Sequence, residues 1–259
     1  MRHPTALIDE SAVLAPDVAV GPYAIIEAGV VLGDGCRVHA HAQVLTGVVM
    51  GPRNVVDRGA ILGGNPQSLS FDRSIRSSVR IGEGNTFREH VTVHRSTQPG
   101  GETRIGDSNF LMAGCHIGHD SVLGDHNVIA NAALIAGHVT IGSRCFLGGG
   151  SVYHQFIRLG DLVMIQGNSA FSADVPPYSI GHEINLLAGL NIIGLRRAGV
   201  DTAARQELKR LYREVFSHPF GPVKSAGLLL PETTSASGRR FLEFVASPGS
   251  KGLSTPGSA

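Results

Sequence analysis

Aliphatic residues recur at every sixth position along most of this chain, and neither a helix nor an ordinary strand produces that spacing. The first run is Ile8, Leu14, Val20, Ile26, Leu32, Val38, Val44, Met50, Val56 and Leu62. Two residues before each stands a small or medium apolar side chain: Ala6, Ala12, Val18, Ala24, Val30, Cys36, Ala42, Val48 and Ala60, with Asn54 the exception. The phase then breaks. It resumes one residue out of step at Ile81, Phe87 and Val93, and continues after a second gap from Ile105 through Leu111, Ile117, Leu123, Ile129, Ile135, Ile141, Leu147, Tyr153, Leu159 and Ile165 to Phe171. A six-residue period with two inward positions is a short strand plus a turn. Three such repeats close one triangular coil, and each coil buries its interior only against its neighbours, so many must stack.

This pattern predicts a mainly β protein: a left-handed parallel β-helix of hexapeptide repeats over residues 1–180, with loop insertions near 64–78 and 95–102. Residues 181–259 form a C-terminal α-helical domain. The repeat is expected to stop near Asp174-Val175-Pro176-Pro177-Tyr178, because prolines cannot donate to a ladder. Beyond it Leu208, Leu211, Tyr212, Val215 and Phe216 fall at helical spacing, with Asp201 or Thr202 as N-cap. Further helical segments are expected around 189–197 and 241–245, and the Ser/Gly/Pro-rich end from Ser247 is expected to fray.

Composition fits this architecture and narrows the function. Glycine is abundant at 34 residues, and aromatics make up 5% with no Trp, as suits many tight turns around small interior side chains. A net charge of +1 gives no footprint for nucleic acid or an anionic membrane. The longest apolar stretch, Asn185 to Leu195, is too short to cross a bilayer. Cys36, Cys115 and Cys145 all fall on the small inward position. They read as buried thiols in a reducing, cytoplasmic setting rather than as disulfides.

Stacking turns sequence into geometry. Residues eighteen apart lie above one another, so His119 sits over Gly137, with His138 one step along. His116 precedes them on the same coil, and His154 and Gln155 follow one coil later. Imidazole can take a proton from a hydroxyl near neutral pH, and a backbone N–H beside it can hold an oxyanion, which suits acyl transfer. Histidines from adjacent coils also suit a metal such as Zn²⁺. The residues alone leave both chemistries open, together with a silent scaffold.

The motifs His116-Ile117-Gly118-His119-Asp120-Ser121, Ala136-Gly137-His138-Val139, His154-Gln155-Phe156, Asp174-Val175-Pro176-Pro177-Tyr178 and Asn191-Ile192-Ile193-Gly194-Leu195-Arg196-Arg197 resemble, in order and spacing, the UDP-N-acetylglucosamine O-acyltransferases of lipid A biosynthesis. Phe87-Arg88-Glu89, Val93-His94-Arg95, both interruptions and the helical tail resemble that family too, so the similarity covers nearly the whole chain. The resemblance implies transfer of a 3-hydroxyacyl chain from acyl carrier protein to the 3-hydroxyl of UDP-N-acetylglucosamine. It implies His119 as general base, Asp120 as its orienting carboxylate and Gly137 as oxyanion donor. His116 and His138 would position substrate, His154 and Gln155 would touch the nucleotide sugar, and Asn191 and Arg197 the uridine and phosphate end. Gly167 would stand at the position that limits acyl length, where a glycine leaves room for a longer chain. The family is cytoplasmic and homotrimeric, with sites between subunits and neither cofactor nor metal.

The departures cluster at the acceptor. Gln67-Ser68-Leu69-Ser70 stands where the family has Gln-Asp-Leu-Lys, so Gln67 is kept while both charges are lost, and Arg73 or Arg76 is the only nearby cation. Gly181-His182-Glu183-Ile184 replaces Gly-Asn-x-Ala, and Ile193 replaces an acidic residue. This pattern points to an edited acceptor pocket, such as one for a 3-amino nucleotide sugar. A metal-dependent hydratase resembling γ-class carbonic anhydrases is the reading from a different class.

Overall fold

In the computed structural model, which describes residues 1–257, each six-residue repeat becomes a two-residue strand and a corner. The first strand residue points outward and the second inward, as at Leu134 (46% exposed) and Ile135 (fully buried). Strands three repeats apart pair in parallel, so His116 pairs with Leu134 and Leu134 with Val152. The result is a left-handed parallel β-helix with three sheets. The first runs from Leu7–Ile8 to Ala170–Phe171, the second from Val13–Leu14 to Arg158–Leu159, and the third begins at Ala19–Val20. Register survives both interruptions: Leu62 pairs with Val93, and Val93 with Ile117.

The interior is one apolar column from Val18 to Leu187, filled by the aliphatics of the repeat. Asn54, the polar exception, is fully buried and starts a ladder. Its Oδ1 accepts from Asn85 N and Nδ2 (2.8 and 2.9 Å), and Asn85 Oδ1 accepts from Asn109 N and Nδ2 (2.8 and 3.0 Å). Asn127 N and Cys145 N continue it at 2.8 Å each. The amides satisfy corner N–H groups that no strand partner reaches. The three cysteines are free and buried, and burial pushes the Cys115 thiol up to about 11 and the Cys145 thiol up to about 12, so neither is a nucleophile at neutral pH.

The C-terminal region differs from expectation in two ways. The helical part does not begin at 181. Ser179–His182 pairs in parallel with Met164–Ile165, and Leu186–Leu190 pairs antiparallel with it, so the third sheet runs through Leu190. Pro176 and Pro177 fall at a corner, where a missing N–H costs no ladder bond. The helices are α1 (Ile192–Arg197), α2 (Thr202–Ser217), α3 (Pro222–Leu229) and α4 (Ala236–Ala246). Asp201 caps α2, accepting from Ala204 N at 2.9 Å. Leu208, Leu211 and Val215 pack with Leu195, Phe241, Leu242 and Val245 in a second core, and Tyr212 and Phe216 join it to the first.

The end after Ser247 is also held rather than frayed. Gly249 N donates to the buried Asp174 carboxylate at 2.8 Å, Ser254 N to Asp174 O at 2.8 Å, and Thr255–Pro256 pairs with Leu186–Leu187. The expected fraying of the last two residues, Ser258 and Ala259, lies outside the described residues.

Candidate active site

Both interruptions, residues 65–77 and 95–101, leave the coil at the corner between the first and second sheets. The same corner carries His119 and Asp120, then Gly137 and His138 one coil on, then Gln155 and Phe156 after that. Asp120, His138 and Phe156 each adopt the left-handed backbone conformation, with φ of 61°, 60° and 67°, which turns their side chains onto the corner. His119 lies against Gly137 so closely that a Cβ there would fall 2.5–2.9 Å from three atoms of its ring. Only glycine leaves room for the imidazole.

His119 Nδ1 meets Asp120 Oδ2 at 2.8 Å. An ionised carboxylate only accepts, so in the neutral imidazole this bond places the proton on Nδ1 and leaves Nε2 as the lone-pair acceptor. Asp120 is itself crowded with donors. Ser96 Oγ bonds its Oδ1, while Thr97 N (3.1 Å) and Thr97 Oγ1 (2.8 Å) bond its Oδ2. Burial pushes the Asp120 carboxyl up, but the hydrogen bonds from Ser96, His119 and Thr97 outweigh it and hold the group below its ordinary range. Asp120 is therefore an anion at neutral pH. His138 stands edge-on to His119, centroids 5.1 Å apart at 88°, and stacks on Phe156 at 4.5 Å and 12°. Burial, together with His119, lowers its basicity against the pull of Asp120. At neighbouring corners the N–H equivalent to that of Gly137 is spent on a side chain one coil on, as from Asp107 to Asp125 (2.8 Å) and from Ser143 to Asp161 (2.8 Å). The Gly137 N–H has no acceptor among the described residues.

Two further histidines adjoin this group. His116 projects from the first sheet, its Nδ1 2.8 Å from Thr92 Oγ1, and burial and His119 make it less basic. Against its edge lies His94, centroids 4.6 Å apart. His94 is buried, its Nδ1 has no partner, and burial drives its imidazole down from 6.5 to about 4. In the unfolded chain it would bind a proton between those values while the folded chain would not. The stability it contributes is thus full above pH 6.5 and lost as pH falls toward 4. Between pH 7.5 and 4.5 the chain should lose about 2 kcal/mol through this group. Urea denaturation at both pH values should show a correspondingly smaller loss for His94→Phe, and equal losses in the two proteins would contradict a buried neutral His94.

Of the other expected residues, Gln155 shares this corner one coil on from Gly137, and the rest lie elsewhere within one chain. His154 is exposed, its Nδ1 3.2 Å from Gln155 O, and both line a cavity of about 620 Å³ with Ala136, Val152 and Ile184. Gly167 is exposed at a corner between the third and first sheets, beside Gly149. Asn191 caps α1, accepting from Gly194 N (2.9 Å) while its Nδ2 donates to Leu162 O (2.9 Å). With Arg197 it lines a cavity of about 770 Å³ over the outer face of the third sheet, beside Phe146 and Met164. Gln67 lies exposed in the first loop, where Ser68 and Ser70 face each other at 3.3 Å. Arg73 and Arg76 line a cleft with Glu27 and Thr46, on the N-terminal side of that loop, away from the histidines.

Ser96, Thr97 and Thr92 are not singled out by the sequence pattern, and Phe156 stands in the His154-Gln155-Phe156 motif with no role of its own. A signal existed: Ser96 precedes Asp120, and Thr92 precedes His116, by 24 positions, one coil plus six residues of loop.

The site can do two kinds of chemistry. One atom each from His119, Asp120 and His138 lies within 4.8 Å of the others, a separation that a metal ion could bridge. However, Asp120 Oδ2 already accepts from Thr97 and His119, so an ion bound through that oxygen would compete with those bonds. Proton transfer needs no such rearrangement.

Residues 174–253 match the family model described as UDP-N-acetylglucosamine O-acyltransferase, domain 2, and residues 102–137 and 138–171 match two hexapeptide-repeat transferase models. The acyl-acyl-carrier-protein–UDP-N-acetylglucosamine O-acyltransferase of Syntrophobacter fumaroxidans is 40% identical over 95% of this chain and 96% of its own length. That of Halorhodospira halophila is 41% identical over 83% of each. Among solved structures, the UDP-N-acetylglucosamine acyltransferase from Campylobacter jejuni superposes with a TM-score of 0.92 at 32% identity, over 98% of this chain and 99% of that one.

Proposed function

The chain belongs to the UDP-N-acetylglucosamine O-acyltransferases, and from that membership we propose how its own residues carry the reaction. It is an acyltransferase of lipid A biosynthesis that takes its acyl group from acyl carrier protein and delivers it to UDP-N-acetylglucosamine. His119 Nε2 takes the proton of the sugar 3-hydroxyl as that oxygen attacks the thioester carbonyl of a 3-hydroxyacyl carrier protein. The Gly137 N–H receives the oxyanion of the tetrahedral intermediate. Its collapse forms the ester, breaks the C–S bond, and passes the proton from His119 to the departing thiolate. The observation that carries this reading is the His119–Asp120 pair seated on Gly137 with Nε2 left open.

His116 and His138, both held neutral, position the acceptor. Gln67, His154 and Gln155 touch the sugar, and Gly167 sets room for the acyl chain. Asn191 and Arg197 serve the uridine and phosphate end. Asn191 and Arg197 lie over the third sheet, while the histidines lie at the corner of the first and second. A homotrimer with sites between subunits reconciles the two. Exposed Leu134, Val152, Phe146 and Met164 on the first and third sheets support that assembly. The second sheet also exposes Val13 and Val122 but carries ion pairs on its face, Arg80 and Arg104 to Glu102. Among the described residues no helix is long and apolar enough to cross a membrane. A cytoplasmic enzyme without cofactor accords with a free carrier-protein donor.

One observation favours a second acceptor. Ser68 and Ser70 offer only neutral hydroxyls, so a 3-amino nucleotide sugar is the alternative substrate. Incubation of the protein with 3-hydroxyacyl carrier protein and either UDP-N-acetylglucosamine or its 3-amino analogue, with release of carrier thiol followed, tests the reading. Turnover with UDP-N-acetylglucosamine, unaffected by chelator, is expected. No turnover with either sugar, or stoichiometric zinc or iron whose removal abolishes activity, would contradict it.

A further inference from the structure

The second loop does more than leave the coil and return. Its residues Ser96 and Thr97 supply three of the four donors that the Asp120 carboxylate receives, two hydroxyls and the Thr97 N–H. The fourth is His119. Ser96 is fully buried and its hydroxyl also accepts from Gln98 N at 2.9 Å, which fixes the direction of its proton toward Asp120. Asp120 is held from the backbone as well, its N–H donating to the buried Thr103 Oγ1 at 2.8 Å. A carboxylate with this many donors has one rotamer and one charge state. The loop is in turn tied to the first one. Arg95 donates to Asn65 Oδ1 (3.0 Å), Ser77 Oγ (3.1 Å) and Arg73 O (3.1 Å), and it sits over the Phe71 ring at 5.0 Å.

We propose that Ser96 and Thr97 are positioning residues for the transfer reaction, clamping Asp120 so that the proton of His119 stays on Nδ1 and Nε2 stays open. The inference rests on His119 being the base. Neither residue touches substrate. Without them Asp120 keeps its charge but gains rotational freedom, and His119 samples the tautomer whose Nε2 is protonated and cannot accept. The loss therefore falls on kcat rather than on KM.

The test uses the full-length protein and the transfer assay. Thr97→Val removes one charge-assisted bond, an effect expected to lower kcat about tenfold with KM within about twofold. Thr97→Ser keeps the hydroxyl and should restore most of the rate. In an Asp120→Asn background the same Thr97→Val change should cost less than about twofold, because the group it positions has lost its charge. An equal loss in both backgrounds, or a loss carried by KM, would overturn the proposal. A second readout needs no turnover and so separates this proposal from the functional one. The imidazole ¹⁵N shifts of His119 should report a single Nδ1–H tautomer in the parent protein and a mixture in the Ser96→Ala, Thr97→Val double variant. Identical patterns in the two would overturn the clamp even if the parent protein proved an active transferase. A shift to the mixture would support it even if the acceptor tested were the wrong one.

Discussion

His119→Ala is expected to lower kcat/KM by about 10³-fold, within the range that a positioned general base supplies, with no comparable change in stability. The two parts follow from where the ring sits. Its Nδ1 is committed to Asp120 and its face lies on Gly137, so its only uncommitted atom is Nε2. Nothing beside it offers an equivalent base in the same place. His138 is 5.1 Å away, ring centre to centre, and perpendicular, while His116, on the same coil, turns to Thr92 and to His94 of the preceding coil. Stability is spared because Asp120 keeps its Ser96 and Thr97 donors when the imidazole is gone, so no buried charge is left bare. Single-turnover transfer together with a thermal melt distinguishes the outcomes. Near-full activity would place the base elsewhere, and a collapsed melting temperature would make His119 a structural residue.

The largest effect on stability should come from the C-terminal end of the β-helix. Asp174 is fully buried and accepts from Arg158 N (2.8 Å), Arg158 Nε (2.8 Å) and Gly249 N (2.8 Å), with Arg158 Nη2 at 2.7 Å. The same guanidinium donates to Ser247 O at 2.7 Å and lies over Phe244 at 4.5 Å. One carboxylate thus joins the last strand of the second sheet, α4 and the C-terminal strand. Asp174→Ala removes it and leaves Arg158 half-buried without its anion, at a cost of about 3 kcal/mol. That figure is the low end of the range because a third of the Arg158 side chain remains in water. Chemical denaturation measures the loss. Limited proteolysis should show faster cutting after Ser247, whereas an unchanged pattern would mean that the strand at Thr255–Pro256 holds the end alone.

These two sites differ in how far they could be read from the chain. His119 over Gly137 is a separation of eighteen, the coil length itself, so the periodicity places one on the other. The Ser96–Asp120 contact spans 24 residues and depends on how many residues the loop adds to a coil, which the period does not state. The Asp174 clamp spans 75 residues to Gly249, and a Ser/Gly/Pro-rich segment looks frayed until Asp174 takes one of its N–H groups on the buried carboxylate and another on its backbone carbonyl. The proline pair misled in the same local way, since Pro177 is harmful in a ladder but harmless at a corner. Gly160 makes the room, because a Cβ there would fall 2.5 Å from Pro177 Cα. Helix α3, which begins Gly221-Pro222 and has no polar stripe, carries little amphipathic signal and follows from packing against α4. The proposed catalytic corner is legible in its column of histidines, but its hydroxyl clamp is not.

The most direct measurement is a crystal structure of the protein with UDP-N-acetylglucosamine bound. The sugar 3-hydroxyl oxygen is expected within hydrogen-bond distance, about 2.6–3.2 Å, of His119 Nε2, with the Gly137 N–H facing the space where a thioester carbonyl would meet it. A nucleotide sugar seated with its 3-hydroxyl away from His119, or an ion bridging His119, Asp120 and His138 in its place, would contradict the account.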